Sequence, residues 1–350
     1  MKKLLLVCMF ALGVSSLSAQ AIYPKAGEDW PKAKPSKYGY DEKKLEDIRR
    51  FIIDSMNTTG CLVLVGGENI FEYGAIDRIS YIASCRKSVL AMLFGKYVEN
   101  GTINLDTTIG ELGMDDHGGL LPIEKTATVR HLIQARSGIY HAASNAGSSL
   151  DNPKHTPERG SKVPGTYHLY NNWDFNAAGA AFEQMTGKNI YKALEEDLAK
   201  PLGFQDWDIT KQRKGGNRKK SKYPAYHIYI STRDMARIGY LMLREGEWDG
   251  KQIISKEWHK EMLHDWTPRD QMHPKPGKFA YGYMWWLFKR GRSELKGAYQ
   301  ASGHMGQKIT IIPELDMVIA HKTDAVYGRK TKGSLITKLM NKIIDARIKE

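Results

Sequence analysis

A serine hydroxyl and a lysine amine stand three residues apart in the stretch YIASCRKSVLAMLFGKYVENG, as Ser84 and Lys87. Residues at that spacing share one face of a helix. A neutral amine beside a hydroxyl is a general base beside a nucleophile. From Val89 to Val98 the stretch is apolar almost all round, so its helix belongs inside the protein. An isolated ammonium buried there costs several kcal/mol, and it is tolerated only with partners or with a lowered pKa. Arg86 and Lys87 also face the positive end of the helix macrodipole, the wrong end for cations. The same N-terminus aims backbone N–H groups at whatever Ser84 attacks, which favours an oxyanion. A structural cation beside a chance serine is the plainer reading, because this short pattern recurs in many chains.

Two further stretches bear on the choice. GTYHLYNNWDFNAAGAAFEQMTG carries Tyr170, Asn171 and Asn172 just ahead of a helical pattern, where an asparagine cap with an aromatic staple would account for them. GAYQASGHMGQKITIIPELDMVIAH carries His304, Met305, Gly306 and Gln307 at a strand entrance, where His304 could simply be exposed. In this order the three stretches resemble the serine β-lactamase and penicillin-recognising hydrolase family. The branch is that of class C β-lactamases, D-alanyl-D-alanine carboxypeptidases and related esterases and amidases. That family places an SxxK on a buried helix, a YxN on a loop of a helical lobe, and a KTG or HxG on a strand edge. TVRHLIQARSGI, ISTRDMARIGYLMLREGEWDGKQII and YGYMWWLF also look like family segments, so the likeness runs from about residue 40 to 322.

The resemblance implies an exported serine hydrolase that forms an acyl-enzyme on Ser84 and acts on small esters or amides. Lys87 and Tyr170 would share general-base and general-acid duty as a coupled pair. Asn172 would orient Lys87 and meet a substrate amide. The oxyanion hole would be the N–H groups of Ser84 and Gln307, with His304 and Gly306 on the substrate side. His304 stands where β-lactamases carry a lysine, and the extra glutamate of class A enzymes is not identifiable, which favours the esterase and amidase side. A carboxypeptidase on wall-derived peptides, a class C-like β-lactamase, and a non-catalytic acyl-trapping sensor are the alternatives. The mechanism brings its own nucleophile and base, so neither a cofactor nor a metal is expected; no Cys or His pair has ligand spacing.

The elements that must hold these groups follow from pattern. The chain has 350 residues, 41% hydrophobic and 26% charged, enough for one two-lobed domain. Residues 1–21 have a basic start, a short apolar run and an Ala19-Gln20-Ala21 ending, which reads as a secretory signal peptide and predicts a bacterial periplasm. A Pro- and Lys-rich leader follows over 22–38. No other apolar stretch is long enough to span a membrane. The net charge of +13, or +11 once Lys2 and Lys3 leave with the signal, suits anionic wall polymers or lipid head groups; nucleic acid is not expected as a partner in that compartment.

From Asp41 a helical pattern runs to about Met56, and CLVLVGGENIFEYG then alternates around Gly66-Gly67 as a hairpin. Helical pieces fall at 127–136, 173–186, 190–200 and 231–246. YGYMWWLF, KGAYQASG and KITIIPELDMVIAH read as strands, the last a hairpin turning at Pro313-Glu314, before a terminal amphipathic helix from Leu335 to Ile348. The expected fold class is α/β (α+β): an antiparallel sheet flanked by helices, drawn from 39–101 and 231–350, with a mostly helical lobe over 102–230 inserted in it. KQRKGGNRKKSK, 211–222, reads as an exposed basic loop. Cys61 and Cys85 could pair in an oxidising compartment, although two cysteines make no disulfide framework.

Overall fold

Asp41 accepts a hydrogen bond from the Lys44 N–H and so caps α1 (Glu42–Ser55). A tight turn at Gly66-Gly67 then joins β1 (Gly60–Val65) to β2 (Glu68–Gly74) as the expected hairpin, and β3 (Ser80–Tyr81) leads into α2 (Cys85–Glu99). The helical part follows as α3 (Val129–Ile133), α4 (Asn172–Thr186) and α5 (Ile190–Leu194), then small strands β4 (Arg213–Gly215), β5 (Ala225–His227) and β6 (Tyr229–Ile230). Next come α6 (Thr232–Leu243), the short ribbon β7 (Glu247–Trp248) and β8 (Lys251–Gln252), and α7 (Lys256–Met262). The chain finishes with β9 (Phe279–Tyr281), β10 (Trp286–Phe288), β11 (Tyr299–Ser302), β12 (Lys308–Ile312), β13 (Met317–Lys322) and α8 (Gly333–Asp345). This computed structural model describes residues 21–147, 150, 152, 154, 156–274, 277–325 and 328–348. Residues 1–20, nearly all of the expected export segment, lie outside the described residues.

Seven strands form one antiparallel sheet in the order β2-β1-β13-β12-β11-β10-β9. The expected α/β class therefore holds, with strands from both ends of the chain and helices between them. Side chains alternate across a sheet, and here the alternation separates two cores. Leu62, Leu64, Ala301, Ile309 and Val318 face the layer containing α2 and α6. Cys61, Val63, Phe288, Ile312 and Ile319 face α1 and α8. The α6 backbone lies close to the sheet at Gly239, where a Cβ would stand 2.5 Å from Val318 Cγ1. The two cysteines sit on opposite faces of the sheet, both buried and free.

Three segments differ from their sequence patterns. YGYMWWLF is not one strand: β9 ends at Tyr281, and the chain turns through Met284 at φ 58° before β10 begins. Contact with α7 drives that turn, since a Cβ on Gly282 would meet the Met262 carbonyl oxygen at 2.1 Å. The basic stretch 211–222 is only partly a loop. Arg213–Gly215 pairs with β5, and Ser221 is fully buried, donating to the Asp116 carboxylate. The helix expected over 127–136 keeps only five residues, and α7 had no clear periodic signal.

Candidate active site

The chain reaches the site through a backbone kink. After β3 pairs with β6, the Ile82 N–H donates to the Ile228 carbonyl, and Ala83 then adopts φ 49°. A left-handed alanine costs on the order of 1 kcal/mol and persists only where surroundings enforce it. Here the enforcing element is the loop between β11 and β12: a Cβ on Gly303 would lie 2.5 Å from the Ile82 carbonyl oxygen and 3.1 Å from Ala83 Cβ. The kink places Ser84 at the N-terminal position of α2, half-buried, with its side chain making no cap hydrogen bond. Its Oγ meets Lys87 Nζ instead, at 3.0 Å.

Lys87 is 2% exposed and touches three oxygens: Ser84 Oγ, Tyr170 OH at 2.5 Å and Asn172 Oδ1 at 2.7 Å. Its Nζ lies 4.2 Å and 4.4 Å from the ring centres of Tyr170 and Phe175. Among the described residues no carboxylate pairs with it. Burial and then the adjacent Arg86 guanidinium push the amine well below its ordinary range. Arg86 is itself buried over the Tyr226 ring at 4.1 Å and donates to Asn176 Oδ1 at 2.7 Å.

A neutral amine has two N–H donors and one lone pair. Asn172 Oδ1 only accepts, so it takes one N–H. The other N–H and the lone pair are left for the two hydroxyls. Lys87 can therefore accept a proton from one of Ser84 or Tyr170 while donating to the other. Burial pushes the Tyr170 phenol up to about 12, so it rests protonated near neutral pH, while burial shifts Lys87 the other way, toward its neutral form.

Asn171 and Asn172 divide two duties that sequence offered as alternatives. Asn171 caps α4, accepting from the Trp173 N–H at 2.9 Å. Asn172, the next residue, turns inward to Lys87 and donates its Nδ2 to the Ala146 carbonyl at 2.8 Å. Tyr170 is wedged among Phe175, Tyr281 and the half-buried Trp286, with ring centres 4.9, 6.3 and 5.5 Å away. Asp174 is kept apart from Lys87 on its own partners, Ser137 Oγ at 2.6 Å and Asn171 Nδ2 at 3.3 Å, and burial pushes its carboxyl well up.

The structure thus brings Ser84, Lys87, Tyr170 and Asn172 into direct contact. Gln307 reaches the first turn of α2 through its carbonyl, which accepts from Cys85 Sγ at 3.5 Å. Its amide side chain points away and pairs with the backbone of Thr323. Gly306 is buried behind it. His304 is exposed on the same loop and makes no hydrogen bond or ion pair to the cluster among the described residues. Sequence reasoning noticed Arg86 but gave it no part in the site, and it passed over Ala83 and Trp286. Arg86 had a visible signal, a second cation in a buried first turn; the other two act only through tertiary contacts.

Residues 62–333 match the sequence profile of the β-lactamase family. An uncharacterised protein of Alkalihalophilus pseudofirmus is 24% identical over 262 residues, 69% of this chain and 72% of its own length. Among solved structures, a candidate 6-aminohexanoate-dimer hydrolase from Bacillus anthracis superposes with a TM-score of 0.67 at 19% identity, over 92% of this chain and 88% of that one. A family VIII carboxylesterase superposes with a TM-score of 0.61 at 14% identity, over 87% and 97%. The profile match covers most of the sequence and includes every residue of the polar cluster: the chain belongs to the β-lactamase family of hydrolases.

Proposed function

We propose that the protein is an exported serine hydrolase, working in the periplasm through a Ser84 acyl-enzyme on small esters or amides. The observation that carries this reading is the contact of Lys87 Nζ with Ser84 Oγ at 3.0 Å, in a buried pocket that pushes the amine well below its ordinary range. As Oγ attacks the substrate carbonyl, its proton passes to the Lys87 lone pair. The oxyanion is received by the N–H groups of Ser84 and Gln307, aided by the α2 N-terminus. When the tetrahedral intermediate collapses, the proton on Lys87 reaches the leaving oxygen or nitrogen through the Tyr170 hydroxyl. Water then attacks the acyl-enzyme, giving a proton back along the same pair and releasing the acid with Ser84 restored. Asn172 holds Lys87 in register and meets a substrate amide. His304 stands on the exposed rim at the leaving-group side, on the loop that Gly306 supports from behind.

Absence of a lysine at position 304 supports esters and amides over cephalosporins, whose carboxylate calls for a cation. A carboxylesterase and a candidate amide hydrolase on the same fold are consistent with that choice. The basic start, apolar run and small-residue ending of 1–21 support export. The test is steady-state turnover of p-nitrophenyl butyrate, D-amino-acid amides and nitrocefin, with Ser84→Ala as blank and periplasmic fractions assayed in parallel. A nitrocefin kcat/KM about tenfold above that of the ester would assign a β-lactamase instead. One stoichiometric burst without turnover would assign an acyl-trapping sensor. A fluorophosphonate adduct should map to Ser84 and persist in Cys85→Ser; burial pushes the Cys85 thiol up to about 12, so it is a poor nucleophile.

A further inference from the structure

The face of the sheet that meets α8 is not uniformly apolar. Toward β1 and β13 it carries Val63, Met317 and Ile319, but toward β11 and the start of β12 it turns polar. Gln300 lies directly opposite Thr310, and Ser302 directly opposite Lys308. Opposed residues of antiparallel strands point to the same side, so four polar side chains enter a layer between sheet and helix. They do not fill it. A cavity of about 280 Å³ remains there, floored by Lys278, Gln300, Lys308 and Thr310 and roofed by Ile336, Leu339 and Met340 of α8. Phe279, Phe288 and Ile319 complete its apolar wall.

The polar groups in this cavity are under-satisfied. Gln300 is 8% exposed and Thr310 4%, yet among the described residues neither side chain has a hydrogen-bond partner. Their polar atoms open into the cavity and are not sealed by protein, so they are free to meet a ligand there. Among the described residues the one hydrogen-bond partner of Lys308 is the Ser302 hydroxyl, and that of Lys278 is Thr337 Oγ1 at 3.4 Å, with its amine also over the Phe279 and Phe288 rings. Among the described residues no carboxylate lines the cavity. Burial pushes the Lys308 amine down to about 8, the mark of a cation short of an anion.

Lys308, Gly333 and Ile336 also border an adjoining groove of about 420 Å³, which adds Lys330 and Lys332. That groove runs under the start of α8, a 13-residue helix with no acid in its first turn and no side-chain cap. The arrangement is a cationic entrance leading to a chamber with a polar floor and an apolar roof and wall. Its volume is nearly twice the roughly 150 Å³ that accepts benzene in an engineered cavity.

We propose that the cavity between the sheet and α8 is a binding site for a free amphipathic monocarboxylate of about eight carbons. Its carboxylate sits on Lys308, Gln300 and Thr310, and its tail lies against Phe279, Phe288 and Leu339. The site does not involve Ser84, so it is tested on Ser84→Ala protein, in which the hydrolytic reaction is removed. Butanoate, hexanoate and octanoate are titrated by calorimetry, with octyl glucoside as a neutral amphiphile and the thermal midpoint of every variant recorded as a check of folding.

One octanoate should bind per chain, with affinity rising about fourfold per added methylene across the series. Octyl glucoside should bind at least about tenfold more weakly, as should octanoate to Lys308→Met, since a charge-assisted hydrogen bond is lost in each case. Leu339→Phe should fill the chamber and weaken octanoate by a similar factor. Affinity without chain-length dependence, or octanoate binding unchanged in both Lys308→Met and Leu339→Phe, would overturn the proposal. So would the absence of saturable binding, which would mean the cavity holds only water. Should Leu339→Phe fail to fold, Lys308→Met and the chain-length series decide the matter.

Discussion

Replacing Lys87 with arginine and with methionine separates a base from a structural cation by two independent orders. Arginine keeps the positive charge but cannot surrender a proton in a protein. If Lys87 works as a neutral amine, Lys87→Arg and Lys87→Met both lose the proton acceptor. Each should then lower kcat by about 10²–10⁴-fold. The stability order is the sharper test. Methionine retains the stem between Phe175 and Tyr170 and abandons only Asn172 Oδ1 among fully buried partners, a cost of about 1–3 kcal/mol. Arginine forces a permanent cation into a site that offers no carboxylate among the described residues and already borders Arg86. An uncompensated buried charge costs about 3–5 kcal/mol, before the larger head group is accommodated. Lys87→Arg should therefore melt below Lys87→Met, by about 3 °C for a difference of about 2 kcal/mol in a chain of this length. The assay is p-nitrophenyl butyrate turnover with scanning calorimetry on the same preparations. A Lys87→Arg enzyme that melts above Lys87→Met, or that retains more than about a tenth of wild-type kcat, refutes the neutral-base argument.

Arg86→Met removes the cation that helps to hold Lys87 down, so the Lys87 pKa rises. The acid limb of kcat/KM should then move to higher pH, and a limb that stays put or moves lower counts against the pairing. Tyr170→Phe deletes the hydroxyl 2.5 Å from Lys87 Nζ and should cut kcat by about 10²-fold or more with KM little changed; a loss seen only in KM would make Tyr170 a binding residue. Asp116 is buried, which raises its pKa, but hydrogen bonds from Ser221, the Lys222 N–H, Trp173 and the His117 N–H outweigh burial and hold it below its ordinary 3.8. A depressed carboxyl stabilises the fold above its unfolded pKa and loses that contribution as pH falls through the folded value. Asp116→Asn should therefore cost about 1.5–3 kcal/mol at pH 7 by urea unfolding, with the gap to wild type closing toward pH 3; a gap independent of pH would show that the carboxylate charge is not what matters.

Residue type and spacing made the centre of the site legible. Ser84, Lys87, Tyr170 and Asn172 stand on or beside two helices whose local periodicity survives tertiary packing, so their facing could be read before folding. The hairpins at 60–74 and 308–322 were legible because strand alternation and turn glycine or proline coincide. YGYMWWLF was not, because a continuous apolar run looks the same whether it is a strand or a turn pressed on α7. The role of Ser221 depends on Asp116, 105 residues away, and no local pattern encodes such a partner. The polar pairs of β11 and β12 sit in ordinary alternation. Only the packed structure reveals that α8 leaves a space above them. Cys61 and Cys85 likewise look pairable in one dimension but fall on opposite faces of a sheet.

The strand order has a kinetic consequence. β1 is made early, yet its second partner, β13, ends the sheet-forming sequence; the N–H of Thr59 finds the Lys322 carbonyl 263 residues downstream. Contacts of that range give a high contact order, and loop-closure entropy makes such folding slow. The kinked turn before Ser84 depends on the same late event, because the Gly303 loop that presses on Ala83 joins two of the last strands. A chain still emerging from a ribosome can form its helices, but it lacks the wedge that sets the Ala83 kink. The Ser84 turn therefore takes its final shape only once β11 and β12 are made, by closure of the sheet.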